Sequence, residues 1–384
     1  MSYYKNINDR IKNLKTLKLN NVFEKHIPNE ILKTLHSIVN DFLINKKFIL
    51  KGGRALNHTI KIYNDDEIDY VDYDLYAINP RQELIEIAKI LVEKGIREIS
   101  VENIIFKPHI YRLYIYSIPF IDVEPISEDL WDYLPTFEKN EQKIIDVNFQ
   151  KLDMYVQVAR PTLLNVSNWQ KVIHRLIALN KVKKFEKIGV PEKGKKIEIL
   201  STYMELIGKD AIITGQIAYY LYMNKHKDVF IPNVNRIELF THRVDKYIEI
   251  FKNKLKGKIR VEKFEGFMEL QSNYHVIFQD DKPIIFIYYL DDCISYYEER
   301  SLRFSSFHHL MFYLQLLYYL PISKKYNYQS NLSHMIYDLN RYPKNIEINC
   351  FGYRNPGVLS LRSSFINKDV LFKWKPPSRV ISST

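Results

Sequence analysis

Two cysteines, Cys293 and Cys350, are all that this 384-residue chain contains, and they lie far apart. A disulfide framework is therefore excluded and a reducing compartment is the expectation, which points to the cytoplasm. No run of 18 or more apolar, uncharged residues occurs, so a membrane-spanning helix is not expected. The start MSYYKNINDRIKNLK lacks the apolar core of a signal peptide, and export is not expected either. Low-complexity tracts and short repeats are missing as well. Acidic charge is in deficit: 45 Asp and Glu face 56 Lys and Arg, giving a net charge of +11 and a pI near 9.2. That balance favours a polyanionic partner, because basic surface attracts phosphate chains and releases their counterions; a membrane surface is the competing reading. The length suggests two domains, each with a core of its own.

What the chain does contain is concentrated in residues 49 to 80, ILKGGRALNHTIKIYNDDEIDYVDYDLYAINP. Gly52 and Gly53 follow the apolar run Phe48, Ile49, Leu50, and Asp72 and Asp74 come about 20 residues later. In an extended strand, residues i and i+2 point to one face, so the two carboxylates are presented side by side and call for a cation. A third carboxylate, Asp122, sits in the alternating segment IPFIDVE, with Ile118, Phe120 and Glu124 on its face. If the two strands are neighbours, three oxygen ligands converge, a donor set suited to magnesium or manganese rather than zinc. The glycine pair, at a strand-to-helix turn, lets backbone approach a triphosphate at the positive end of the following helix. An isolated Asp-x-Asp is an ordinary solvated turn. The order of apolar strand, glycines, Asp-x-Asp and later Asp instead reads as metal-dependent nucleotidyl transfer.

These residues carry a resemblance. Gly-Gly, then Asp-x-Asp, then a single Asp is the signature of the nucleotidyltransferase superfamily related to DNA polymerase beta. More closely, ILKGGRAL, VDYDLYAINP, the helix ending LVEKG, and IPFIDVEPIS resemble the poly(A) polymerase catalytic subunits of large cytoplasmic DNA viruses. The asfarvirus and mimivirus type is nearest, the poxvirus type more distant. The likeness covers about residues 30 to 190. Heavy use of Lys, Asn, Ile and Tyr fits an AT-rich viral genome. The resemblance implies template-independent addition of AMP from ATP to the 3′ end of RNA, with two divalent ions held by Asp72, Asp74 and Asp122. It also implies either a homodimer, as in the mimivirus type, or a separate processivity subunit, as in the poxvirus type.

Taken in order, residues 1–28 are a polar, basic arm. A helix is expected from Asn29, where Ile31, Leu32, Leu35, Ile38, Val39, Phe42 and Leu43 recur at three- and four-residue steps. Asp65, Asp66 and Asp69 are expected in a solvated acidic loop. A second helix has Asn79 as N-cap, Pro80 as its first residue and Gly95 as its stop. Strands around 98 to 106 and 109 to 116 precede the Asp122 strand. The expected unit is therefore a mixed α/β fold, α+β in character, rather than a doubly wound parallel sheet. Residues 125 to 190 are expected to form the exit from the catalytic unit and its helical cover. There Lys171 and Arg175 share one helix face and suit phosphates, while Trp169, Lys183 and Lys184 are candidates for RNA. Gly52 and Gly53 are expected to hold the triphosphate through backbone, with Lys51 and Arg54 as charge partners. GVPEKGKK, residues 189 to 196, marks the end of a catalytic domain spanning 29–190.

Residues 191–330 read as a diverged duplicate. DAIITGQIAYYLYM, RIELFTHRVDKYIEI and PIIFIYYLDD repeat the order of the first unit, and the step from Gly215 to Glu238 is 23 residues against 22 from Gly52 to Asp74. Arg236, Glu238 and Tyr288 stand where the first unit has Asp72, Asp74 and Asp122, so this copy has lost its cation cage and is expected to wall an RNA cleft. His308 and His309, adjacent in the apolar helix ending at Pro321, point apart and make a poor metal pair. Asp291 and Asp292 follow a strand and pair with nothing at a defensible spacing. Residues 331–384 form a tail expected to pack on the second domain, with Tyr353, Phe365 and Trp374 among its basic residues. Two rivals stand beside the polymerase reading: a nucleotidyltransferase with another base or acceptor, and a non-catalytic RNA-binding subunit.

Overall fold

The computed structural model describes residues 27–63, 72–104, 107–160, 166–191, 201–268, 270–290, 294–342 and 350–351. The acidic loop with Asp65, Asp66 and Asp69, the Asp291–Asp292 pair, most of the N-terminal arm and of the tail, and the side chain of Trp169 lie outside the described residues.

Helix α1 (Asn29–Ile44) buries the predicted stripe of Leu35, Val39, Phe42 and Leu43. The first unit then runs β1 (Phe48–Lys51), α2 (Gly52–Tyr63), β2 (Tyr73–Ala77), α3 (Pro80–Glu93), β3 (Ile99–Ile104), β4 (Lys107–Ile115), β5 (Ile118–Pro125), β6 (Thr136–Lys139), β7 (Gln142–Ile145) and α4 (Val147–Ala159). Asn79 and Pro80 occupy the predicted positions at the start of α3, although the Asn79 side chain makes no capping bond. At its other end Gly95 takes φ +85°, and the N–H groups of Gly95 and Ile96 return to the carbonyls of Val92 and Leu91. That double closure is the Schellman arrangement, which favours glycine at this point.

The seven strands lie in the order β3-β4-β5-β2-β1-β7-β6. β2 is parallel to β5 and antiparallel to β1, while β1 is parallel to β7. The expected mixed sheet is present, and the segment after position 125 opens with a short helix, Glu128–Tyr133. Residues 136 to 145 form the β6–β7 hairpin at the sheet edge, and the long helices start only with α4. Four-residue strands of mixed polarity carry too little alternation to announce themselves.

Beyond α5 (Val166–Val182), the second unit repeats this plan. It comprises β8 (Ala211–Thr214), α6 (Gly215–Met223), β9 (Ile237–Thr241), α7 (Val244–Lys254), β10 (Ile259–Phe264), β11 (Tyr274–Gln279), β12 (Lys282–Tyr289), β13 (Ile294–Glu299), β14 (Leu302–Ser305) and α8 (Phe307–Tyr319). Its order is β10-β11-β12-β9-β8-β14-β13, with β15 (Cys350–Phe351) added at the edge. Position by position this is the order of the first sheet, and the parallel and antiparallel pairings agree. Even the hairpin turns correspond. Tyr116–Ser117 and Asp280–Asp281 both have positive φ, as do Asn140–Glu141 and Arg300–Ser301.

The strand registers correct one element of the sequence alignment. Asp74 pairs with Asp122, and Glu238 pairs with Phe286, so Phe286 rather than Tyr288 is the counterpart of Asp122. The step from β9 to β12 then equals that from β2 to β5, 48 residues in each unit. Tyr288 lies two residues further on and shares the face of Phe286.

The two units meet through equivalent helices, α4 against α8. Both are capped at the same point, Asp146 accepting from the Asn148 N–H and Ser306 from the His309 N–H. Arg160 reaches across to the Leu270 carbonyl at 2.6 Å, and the Tyr133 hydroxyl donates to the Tyr319 carbonyl. α8 is apolar on all sides and buried, as expected; His308 and His309 are core side chains, with His309 Nδ1 2.9 Å from the Ser305 hydroxyl. A further helix, α9 (Gln329–Arg341), packs on α8 and α6, so a boundary at residue 330 would fall inside it. Among the described residues no helix is long and apolar enough to cross a membrane.

Candidate active site

The turn from β1 into α2 sets the site. Gly52 takes φ +62°, a conformation that L side chains rarely adopt. A Cβ there would lie 1.9 Å from Asp74 Oδ2, so the absence of a side chain is what lets the carboxylate stand against the first turn of the helix. Lys51 and Asp74 are cross-strand partners, and Asp74 is in turn the partner of Asp122 on β5. Neighbouring strands place these residues about 5 Å apart at the backbone and on one face. Asp72 lies in the bend that leads into β2.

Charge then crowds this face. Burial, and next the repulsion of Asp74, raise the pKa of the Asp72 carboxyl; Lys171 opposes the rise and Asp122 adds to it. From above, α5 brings Lys171 and Arg175 within the field of Asp72 and Asp74. Burial lowers the pKa of both cations, and for both the two carboxylates work in the other direction. The sequence-predicted pair on α5 is thus brought to the predicted carboxylates, across about 100 residues of chain.

Asp122 is held differently from the expectation. Its two oxygens take a bidentate grip from Arg112 on β4, Nε to Oδ1 and Nη2 to Oδ2, each at 2.6 Å. Arg112 is its cross-strand partner on that side. Among the described residues no group of three or more His, Cys, Asp or Glu side chains stands ready-made around a cation. Asp74 and Asp122 are cross-strand neighbours and Asp72 lies within the field of both, but Asp122 is turned toward a guanidinium. Sequence reading missed Arg112; the signal was available in β4, whose hairpin alternation with β5 puts Arg112 opposite Asp122.

Other predicted residues separate. Lys51 forms an ion pair with Glu124 and lies 4.2 Å from the centroid of the Tyr76 ring, on the carboxylate face. Gly53 is buried in the first turn of α2. Arg54, expected beside a triphosphate, is buried elsewhere: its guanidinium lies 3.5 Å from the Tyr73 ring and 2.7 Å from His36 Nδ1. Tyr73 is adjacent to Asp74 in the strand and therefore on the opposite face of the sheet, which removes Arg54 from the carboxylates. Lys183 and Lys184 follow the far end of α5. Twelve residues of roughly helical rise put Lys183 about 18 Å from Lys171.

The second unit shows what happens when such a site closes. Gly215 takes φ +64°, and a Cβ on it would meet Glu238 Oε2 at 1.6 Å, the same intimacy as Gly52 with Asp74. Here the carboxylate is neutralised from within. Arg236 Nε donates to Glu238 Oε1 and the Gln216 N–H donates to Oε2, both at 2.7 Å. The Tyr313 hydroxyl lies 3.4 Å from Glu238 Oε1 and 2.8 Å from the Tyr288 hydroxyl, and the guanidinium sits 4.0 Å from the Tyr328 ring. Arg236 and Glu238 are fully buried, so a fixed cation and a wall of phenol rings fill the pocket.

The family model of the poly(A) polymerase catalytic subunit matches residues 37–163, which include Gly52, Asp72, Asp74 and Asp122. The resemblance is to poly(A) polymerase catalytic subunits. A protein of Acanthamoeba polyphaga mimivirus with that description is 22% identical over 296 residues, 67% of this chain and 50% of the relative. One from African swine fever virus, isolate Tick/Malawi/Lil 20-1/1983, is 25% identical over 129 residues, 32% of this chain and 26% of the relative. The chain thus spans about half the length of the first poly(A) polymerase relative and a quarter of the second. Among solved structures, the Megavirus polyadenylate synthase superposes with a TM-score of 0.70 at 19% identity, covering 83% of this chain and 73% of that one. The fold is accordingly the mixed α/β nucleotidyltransferase fold.

Proposed function

We propose that the chain is a poly(A) polymerase catalytic subunit, adding AMP from ATP to the 3′ end of RNA without a template in the host cytoplasm. The observation that carries this reading is the Asp74 carboxylate against the side-chain-free turn at Gly52, beside Asp72 and beneath Lys171 and Arg175. The catalytic unit would span 29–190, with the second unit as the far wall of an RNA cleft.

The donor set fits a divalent cation: two carboxylates within each other's repulsion and a third on the adjacent strand, all oxygen. Magnesium or manganese held by Asp72, Asp74 and Asp122 would lower the pKa of the primer hydroxyl and neutralise charge on the α-phosphate. Lys171 and Arg175 meet the triphosphate and the departing pyrophosphate as fixed cations, which stabilise charge where it develops. Gly52 and Gly53 offer backbone N–H groups at the positive end of α2. Arg112 holds Asp122 in place from the neighbouring strand, and a bound metal would compete with it for the carboxylate oxygens.

Two rival readings make different predictions. A nucleotidyltransferase of other specificity would use another base or acceptor, and a non-catalytic subunit would keep the Arg112–Asp122 pair closed. Incubation of the protein with each NTP separately, with and without an RNA primer, separates them. The polymerase reading expects primer-dependent ladders with ATP. Labelling without primer, or ladders only with another NTP, would point to other specificity, and an inert protein that binds RNA to the scaffold.

A further inference from the structure

The carboxylate row runs across neighbouring strands in register: Lys51 on β1, Asp74 on β2, Asp122 on β5 and Arg112 on β4. Residues paired in this way share one face with Cβ atoms about 5 Å apart, and opposite charges so placed ordinarily attract into an ion pair. Arg112 does this and grips Asp122. Lys51 behaves differently. Its side chain crosses β2 over the Tyr76 ring, 4.2 Å from the centroid, and its ammonium pairs with Glu124 on β5, one strand beyond its register partner Asp74. Tyr76 and Glu124 are cross-strand partners of each other and form the next row of the same face. Glu124 is 2% exposed, and a carboxylate placed so deep is costly without a cation, whereas Asp74 is only half-buried. The ammonium therefore goes to Glu124.

The second unit shows this corner built without charge. By register Thr214, Phe240 and Tyr288 stand at the positions of Lys51, Tyr76 and Glu124. Phe240 and Tyr288 are buried there and stack with ring centroids 4.9 Å apart. The fold closes the corner with rings alone, so packing does not demand the Lys51–Glu124 pair. The pair occurs in the unit whose aspartates stay partly exposed, and its counterpart is apolar where Arg236 already holds Glu238.

We propose that Glu124 is a positioning residue of the candidate metal site: across the Tyr76 ring it draws the Lys51 ammonium off Asp74, and so keeps the Asp74 oxygens for a divalent cation. This rests on the metal-dependent polymerase reading and adds to it a residue that acts through another side chain.

The test measures Mn²⁺ binding to the full chain by loss of the free-ion EPR signal, without nucleotide or primer, in wild type, Glu124→Gln, Lys51→Met and the double variant. Glu124→Gln is expected to weaken Mn²⁺ by about fivefold, the worth of one partly exposed ion pair, because Lys51 then turns to Asp74. Lys51→Met, alone or with Glu124→Gln, is expected to bind Mn²⁺ at least as tightly as wild type. In primer extension Glu124→Gln should need about fivefold more Mg²⁺ for half-maximal rate and reach the wild-type rate at saturation, a split that a loosened fold would not give. Glu124→Asp, which withdraws the charge by one methylene, covers the event that Glu124→Gln does not fold; it is expected to weaken Mn²⁺ by about twofold, an effect removed by Lys51→Met. The proposal is overturned if a folded Glu124 variant binds Mn²⁺ as wild type does, or if its defect persists once Lys51 is replaced. A wild type that neither binds Mn²⁺ nor extends a primer would instead remove the polymerase reading, and this proposal with it.

Discussion

At the scale of single residues, the two units answer one electrostatic problem in two ways. A carboxylate pressed against a glycine turn needs a cation, and in the second unit Arg236 supplies it permanently from inside the fold. In the first unit Lys171 and Arg175 approach Asp72 and Asp74 from a separate helix, Arg112 holds Asp122 from the neighbouring strand, and the three carboxylates stay partly exposed. The substitution of Asp72 by Arg236 was legible as lost chemistry. That Phe286, not Tyr288, replaces Asp122 was not, because one face of a strand offers equivalent positions every two residues and only the pairing register distinguishes them. Arg54 misled for a related reason: its place after the glycines is fixed by sequence, but its direction is fixed by packing on Tyr73 and His36. The His36 contact has a measurable signature. Burial, and then Arg54, lower the His36 pKa from 6.5 to about 4. The unfolded chain therefore binds a proton that the folded one refuses between those values, so this contribution is complete above pH 6.5 and is lost as pH falls toward 4. Denaturant unfolding at pH 7.5 and 4.5 should show wild type losing on the order of 1–2 kcal/mol more than His36→Gln, the partial exposure of the ring screening part of the full shift. Equal losses would mean that His36 is not held neutral.

At the scale of elements, long amphipathic helices and apolar strands announced themselves, whereas β6, β7, β13 and β14 did not. Their hairpins turn on non-glycine residues in the left-handed region, Asn140–Glu141 at φ 50° and 60° and Arg300–Ser301 at 51° and 66°. Such turns normally advertise themselves through Asn-Gly or Asp-Gly, and a chain with 11 glycines in 384 residues spends few of them there. The same geometry predicts a gain. Glu141→Gly converts an exposed turn to Asn-Gly and should stabilise the protein by about 0.5–1 kcal/mol, since a side chain in the left-handed region costs roughly 1–2 kcal/mol and glycine's own entropy returns part of that. A thermal melt unchanged or lowered would mean that the Glu141 side chain has a stabilising role of its own.

At the scale of the whole molecule, duplication explains why so much of the architecture could be read twice. Two sheets of one topology face each other through α4 and α8, and only one retains aspartates at the glycine turn. A positively charged chain built this way presents one face that carries partly exposed aspartates and one that is sealed by Arg236 and Glu238. The central claim is that the competent face is the carboxylate face at Gly52. It is tested most directly by single-turnover primer extension with ATP and Mg²⁺ on wild type and Asp74→Asn, alongside RNA binding by each. The account predicts a rate lower by about a thousandfold or more in the variant, with RNA affinity within a few-fold of wild type. A variant that extends the primer at the wild-type rate would contradict it.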